Sequence, residues 1–528
     1  MCVENADIAG LRADLAAGKT TAAAILRAYL ARIEAYDRAG PMLGAVREVN
    51  PDARAIAAKI DAGPHDPRLP LAGIPILLKD NIATSDNQHT SAGSLALADA
   101  LAKRDATVAA RLRRAGAVIL GKTNMTEFAN MIAIGMPAGF SSLGGQVRNP
   151  YAPVLDSDGL ALVSPGGSSA GSAVAVASGL AAASIGTETS GSLLSPASQN
   201  GVVTVKPTVG LISRAGIVPI AASQDTAGPM TRTVRDAALL LNVLAGPDPL
   251  DPATMHAPKH PDYLKSLDKD GLRGARIGVP SNPADPANDV YYRTLSPRSA
   301  GVMEAAIKLM QDHGAQIVRA NIATEGWIGG PGTDMAILNR NPRSAALNGV
   351  SRFSIVLIYE LKRDMNRYLR DWAKGTAMRT LSDIIGFNAS HDAGALRFGQ
   401  DLFLAADSTR GDLREAEYRS ARAMDLRAAR VNGLDGYMDE NRLDAVLFPG
   451  SAGASIAAKA GYPTVQVPAG LTGDAGGTPR PDYPIGVSFT GRAWSEATLL
   501  RIAYAFEQAN PERPSPPGLP ALTVGCAK

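Results

Sequence analysis

From Ser164 to Pro229 the chain reads SPGGSSAGSAVAVASGLAAASIGTETSGSLLSPASQNGVVTVKPTVGLISRAGIVPIAASQDTAGP. Two turns rich in glycine and hydroxyl residues, SPGGSSAGS (Ser164–Ser172) and GTETSGSLLSPAS (Gly186–Ser198), flank a run of small residues. The run from Ala170 to Ser184 reads as one short buried helix whose small side chains let neighbours pack close. Glycines on both sides permit backbone conformations closed to other residues. The pattern predicts two polar turns at the two ends of that helix.

Three chemistries can use such turns. Gly/Ser loops commonly serve as plain turns. A phosphate cradle needs a Lys-Ser or Lys-Thr after the glycines, and none follows here. Gly167-Ser168-Ser169-Ala170-Gly171 also matches GxSxG, the nucleophile elbow, with Ser169 as nucleophile. That arrangement requires a later acid and then a histidine. His256 and His260 sit in a Pro-rich loop, His313 at a helix end and His391 in a polar turn, which weighs against the elbow.

Outward from this stretch, helical and strand patterns alternate. Thr21–Asp37 carries Ile25, Leu26, Tyr29, Leu30 and Ile33 at helical spacing, and the first seventy residues read as helices. Leu71–Leu78 is an apolar run of strand length. Thr107–Gly116 reads as a helix followed by a strand at Ala117–Leu120. Strand, helix and strand recur at Arg276–Val279, Gly301–Asp312 and Ala315–Val318. Ala445–Phe448, Thr464–Val467 and Gly486–Phe489 read as strands and Ser495–Gln508 as a helix. This alternation argues for an α/β sheet with helices on both faces. Late strands that rejoin an early core imply one domain over 1–528. Within it, 1–70 are N-terminal helices, 71–250 the core, 251–440 a mostly helical cover and 441–510 the return to the core.

Composition narrows the function. Of 528 residues, 53 are basic and 50 acidic, a net charge of +3, with 45% hydrophobic residues. That is an ordinary globular balance and carries no basic footprint for nucleic acid. The charged stretch Leu361–Lys374 alternates signs and reads as a solvated helix face. Cys2 and Cys526 lie at the chain ends in no metal-type spacing, so neither a disulfide nor a metal site is expected. Ser172–Ile185, the most apolar long run, is too short for a membrane span. MCVENADIAG lacks the order of a signal peptide, and a cytoplasmic protein is expected.

The run Gly166–Ser192, with Asn200–Thr233 after it, resembles the amidase signature family. So do GIPILLKDN (Gly73–Asn81), GKTNMTEFAN (Gly121–Asn130), GYPTVQVPAG (Gly461–Gly470) and PIGVSFTG (Pro484–Gly491). TETSGS, KPTVGLISRAGI and SQDTAGPM look most like its bacterial peptide-amidase branch. The resemblance implies a large mixed sheet wrapped by helices and an amide hydrolase with a Ser–Ser–Lys triad. In this sequence the triad falls on Lys79, on Ser168 after a cis peptide bond, and on Ser192, the acylated nucleophile. It further implies an oxyanion hole from backbone N–H groups of Thr189, Ser190 and Gly191, with Ser192 possible. Ser169 takes a supporting role, Asn130 and Met131 contact substrate, and Asp225 could support catalysis, although bracing its own loop is the preferred reading. The substrate is a small amide, and no cofactor, nucleic acid or membrane partner is implied; monomer and homodimer are both open. An amidotransferase subunit that frees ammonia for a tRNA-acting partner is the alternative within the family.

The residue types suit that chemistry. A serine hydroxyl needs a base before it can attack, and lysine serves only when neutral. Burial among Ile74–Leu78 would depress its pKa, and strand alternation would turn Asp80 to the other face. The three side chains are expected to form one hydrogen-bonded chain. Two departures from the family pattern bear on substrate choice. Ser190 replaces a Gly or Asp, and Tyr151–Leu162 looks like an insertion that brings Asp156 and Asp158 near the entrance. Thr233-Val234-Arg235-Asp236 reads as a capping box opening a helix to Leu244.

Overall fold

The computed structural model describes residues 3–522 apart from 64–65, 67, 283, 286–288, 323–352, 474–480, 511–512 and 514. Cys2, Cys526 and part of the expected helical cover lie outside the described residues. Among those described, eleven strands form one mixed sheet. In chain order they are β1 (Val46–Val49), β2 (Pro75–Lys79), β3 (Val118–Thr123), β4 (Ala183–Glu188), β5 (Val203–Lys206) and β6 (Thr226–Thr231). The later five are β7 (Arg276–Val279), β8 (Gln316–Arg319), β9 (Ala445–Pro449), β10 (Thr464–Thr472) and β11 (Tyr483–Thr490). Across the sheet the order is β1-β3-β2-β4-β6-β5-β10-β11-β9-β7-β8.

The sheet's centre follows from burial. PILLK in β2 is buried at every position, the continuous apolar run that suits a strand with parallel neighbours on both sides. β3 and β4 flank β2 in parallel, and β6 then runs antiparallel to β4. β10 joins β5, so the late strands continue the early sheet edge to edge. Helices cover both faces, as the α/β pattern predicts.

Three local expectations need correction. Val46–Val49 is a strand, paired antiparallel with β3, within the stretch read as helical. Four residues are too few for an alternation to stand out beside strongly helical neighbours. The small-residue helix is also shorter than expected, Ala170–Ala177. Gly179 takes a φ of 67°, and the Leu180 and Gly179 N–H groups donate to Ala175 and Val176 carbonyls, the two bonds that close a helix at a left-handed glycine. Ala183–Ser184 then belongs to β4, so the second polar turn follows a strand rather than a helix. Finally, the charged stretch lies in the helix Ile355–Asp371 up to Asp371 and ends on the short strand Ala373–Lys374, and one face of the helix is buried through Leu361, Asp364, Met365, Tyr368 and Leu369. Sign alternation along a sequence says nothing about which charges face inward at helical period.

At Thr233 the hydroxyl accepts from Asp236 N–H at 3.1 Å and the helix runs Val234–Leu244. The Asp236 carboxylate, however, takes the N–H of Ile8 at 3.2 and 3.3 Å, tying the N-terminal helix to the core.

Candidate active site

Two parallel strands end side by side and deliver the polar groups. Lys79 closes β2, and Thr187 and Glu188 close β4. Lys79 is fully buried and donates to Ser168 Oγ at 2.8 Å and Thr187 Oγ1 at 3.0 Å. Burial pushes its pKa down from the usual lysine range to about 7, against the opposing pull of Glu188 and Asp225. A large fraction of the amine is therefore neutral at neutral pH. Asp80 points to the other face, as alternation predicts. There it accepts from the Ser91 hydroxyl and from Gly93 N–H at 3.2 Å and lies 2.9 Å from Arg47 Nε.

Ser168 follows a cis Gly167–Ser168 bond. Its neighbour Ser169 is turned away: the hydroxyl donates to the Thr187 carbonyl at 3.0 Å and accepts the Thr187 N–H at 3.2 Å. Gly186 makes this possible, since a Cβ there would lie 2.9 Å from Ser169 Oγ. Ser169 is thus a bracket between the small-residue helix and β4, which removes the elbow arrangement.

Ser192 sits on the turn after β4. Gly191 takes φ 82°, a conformation side chains resist. The Ser192 carbonyl accepts from Ser169 N–H at 3.2 Å. The buried Glu188 carboxylate accepts from Leu193 and Leu194 N–H at 2.7 and 3.1 Å, fixing the first turn of the next helix. Of the expected hydrogen-bonded chain, the Lys79–Ser168 link is present. No hydrogen bond joins the Ser168 and Ser192 hydroxyls among the described residues. Both serines instead border one cavity of about 460 Å³, together with Thr189, Ser190, Gly191, Asn130 and Met131. Backbone N–H groups of Thr189 to Ser192 are engaged by no described protein acceptor. Such unpaired donors at a cavity wall can receive a developing negative charge.

Asp225 stands behind that turn. It accepts from the Thr189 hydroxyl and from Ile220 and Ala221 N–H at 2.9 Å each. Burial raises its pKa to about 7, opposed first by the Thr189 hydrogen bond. Asp156 and Asp158 border no cavity near the serines. The segment that carries them folds on itself through a Leu155–Ala161 bridge, and Arg397 donates to the Asp158 carbonyl.

Several residues escaped the sequence reading. Thr187 and Glu188 lie inside TETSGS and could have been singled out as strand-end polar groups. Phe128 and Ala129 take positive φ, 44° and 54°, as does the already named Asn130 at 73°, which bends Ala129 and Asn130 into the cavity wall. Nothing in TEFAN signals that bend. Leu357, on the helix Ile355–Asp371, also borders the cavity. A second cavity of about 380 Å³ shares Ala129, Thr189 and Ile220 with the first and is lined beyond them by Asn81, Arg214, Asp364, Tyr368 and Trp372.

A buried amine bonded to one serine, with another serine and unengaged N–H groups on the same cavity, has the parts for nucleophilic acyl transfer. The Amidase family model matches residues 24–500, and the chain belongs to that family. The solved native peptide amidase of Stenotrophomonas maltophilia is 41% identical with a TM-score of 0.82, covering 97% of this chain and 98% of that one. A protein of Arabidopsis thaliana named as a probable amidase is 38% identical over 97% of this chain and 92% of its own length. A glutamyl-tRNA(Gln) amidotransferase subunit of Geobacter metallireducens is 34% identical over 92% of this chain and 93% of its own. A Ser–Ser–Lys triad is characteristic of the family.

Proposed function

We propose that the chain cleaves the carbon–nitrogen bond of small linear or aryl amides, among them peptide amides and anilides, through an acyl-enzyme on Ser192. Carbamates and esters are chemically open to the same nucleophile. The observation that carries this reading is the buried Lys79 amine, depressed to about 7 and 2.8 Å from Ser168 Oγ, beside the cavity that Ser192 faces.

The steps follow from proton bookkeeping. Neutral Lys79 takes the Ser168 proton as Ser168 takes that of Ser192, and Ser192 Oγ bonds to the carbonyl carbon. The oxyanion is held by N–H groups of Thr189, Ser190 and Gly191, each donor worth about 3–4 kcal/mol in comparable sites. The relay then runs backwards: Ser168 protonates the leaving nitrogen and recovers its proton from Lys79. Water attacks the ester through the same relay, and the acid leaves. Asn130 and Met131 hold the substrate. No step requires a cofactor.

A panel of peptide amides, anilides, carbamates and esters, run with a serine-directed phosphonate, tests the reading. Turnover of amides with phosphonate on Ser192 supports it; label on Ser169 overturns it. The likeness to an amidotransferase subunit favours a second reading, glutamine hydrolysis within a complex. Glutamine turnover that appears only with partner subunits would select it. Among the described residues no helix is long and apolar enough to cross a membrane. We place the enzyme in the cytoplasm, to be checked by fractionation of the native source.

A further inference from the structure

The turn that would receive the oxyanion is held through one loop by a helix outside the core. Thr189 is held twice by the segment Ile220–Asp225. Its hydroxyl donates to Asp225, and its carbonyl accepts from Gln224 Nε2 at 3.2 Å. That segment is in turn held by the helix Ile355–Asp371. Asp364 accepts the Ala222 N–H at 3.0 Å, and Glu360 accepts the Ser223 N–H at 2.9 Å.

Both carboxylates are buried, Glu360 2% and Asp364 6% exposed, and both are fixed by further partners. The Tyr418 hydroxyl donates to Glu360 at 2.6 Å, and Arg363 forks onto Asp364 at 2.7 and 2.9 Å. Glu360 and Asp364 stand four residues apart on one helix face and meet two consecutive N–H groups of the loop. A buried acidic pair spent on backbone N–H groups is an expensive arrangement unless the loop's position matters. The same helix presents Leu357 to the Ser192 cavity and Asp364 to the second one.

We propose that Glu360 and Asp364 are positioning residues for amide hydrolysis, setting the Thr189 turn at oxyanion distance through the 220–225 loop. The proposal rests on the reading of Thr189–Gly191 as the oxyanion-binding turn. Neither carboxylate lines the Ser192 cavity. They act through Asp225 and Gln224, so the helix that borders both cavities is mechanically tied to the groups that bind the transition state. Placement errors of about 1 Å at such a site can cost about 100-fold in rate.

The test is a comparison of Glu360→Met, which keeps length and loses the acceptor, with Glu360→Gln, which keeps an acceptor oxygen, alongside Asp364→Asn. The readouts are kcat and KM on a turned-over amide, the affinity of a trifluoromethyl ketone analogue that forms the oxyanion on Ser192, and the affinity of the carboxylic acid product. Glu360→Met is expected to lower kcat about 10- to 100-fold and to weaken the ketone in parallel. KM and product affinity should stay within about twofold, because losing an interaction made only in the transition state lowers kcat and leaves ground-state binding alone. Glu360→Gln should restore most of the loss. Equal weakening of ketone and product, or full activity in folded Glu360→Met, overturns the proposal. Should Glu360→Met fail to fold, Asp364→Asn decides on the same ratio. It leaves one acceptor oxygen to divide between Arg363 and Ala222, so an unchanged ketone-to-product ratio overturns the proposal as well. If phosphonate does not label Ser192 in the unmodified enzyme, the oxyanion reading fails first, whatever these variants do.

Discussion

The Ser192 cavity has two kinds of wall. One is made of tight turns: Gly167–Ser168, with Lys79 of β2 hydrogen-bonded to Ser168 from behind, and Thr189–Ser192 after β4. There the polar groups are fixed by several hydrogen bonds at once, Lys79 by Ser168 and Thr187 and Thr189 by Asp225 and Gln224. The other wall is a single helix, Ile355–Asp371, which reaches the core across more than a hundred residues of sequence and offers Leu357 to the cavity. The contrast suggests a division of labour. On the proposed function, chemistry would sit where the backbone is over-determined and selectivity where one side chain can change without moving a strand.

The first way to break that comparison is to remove the chemistry. Ser192→Ala and Lys79→Met should each lower amide turnover by about 10⁴-fold or more while leaving the folded state intact, as seen for other hydrolase nucleophile–base units. With Lys79→Met, ester hydrolysis should suffer less, because an alkoxide leaves more readily than an amine that lacks its returned proton. Matched amide and ester kinetics decide it. Equal losses would show that Lys79 mainly activates attack.

The second way is to alter the helix wall. Leu357→Ala should change the ratio of kcat/KM between a bulky aryl amide and a small one by about 10-fold, the worth of a few methylenes in an apolar pocket. Phosphonate labelling of Ser192 should proceed as before. A drop in labelling would mean that the helix wall carries chemistry as well as selectivity.

The same contrast explains what could be read from residues alone. PILLK, the GGSS turn and TETSGS are short and self-contained, and the resemblance they carry named Lys79, Ser168 and Ser192. The sheet was legible in the same way, since Arg276–Val279 and Ala445–Phe448 announce themselves by apolar runs of strand length. The helix wall was not. Glu360 and Asp364 look like surface charges until their burial is known, and their partners, Ser223 and Ala222, stand more than 130 positions earlier. The bend at Phe128–Asn130 was hidden because non-glycine residues rarely take positive φ. The end of the small-residue helix at Gly179 was hidden because Ala and Ser suit helix and strand alike.

The smallest expected effect probes the electrostatics that join the two walls. In the proposed mechanism neutral Lys79 is the working form, and burial pushes its pKa down to about 7. Activity should therefore fall as pH drops through that region and hold steady above it. Two carboxylates oppose the effect of burial on Lys79, Glu188 more strongly and Asp225 less. Replacing Asp225 by Asn removes a negative charge that favours the protonated amine. The Lys79 pKa then falls further, and the acid limb of kcat/KM must move to lower pH. The substitution keeps the geometry: the carboxamide oxygen can take the Ile220 and Ala221 N–H groups, and its nitrogen can donate to the Thr189 hydroxyl. Asp225 itself is pushed up to about 7 by burial, so the unmodified profile reports both groups as a pair. The variant separates them. A limb that moves acidward identifies Lys79 as the titrating base, tuned by the carboxylate behind the oxyanion turn. A limb that vanishes would assign the titration to Asp225, and one that stays in place would show that its charge does not reach the amine.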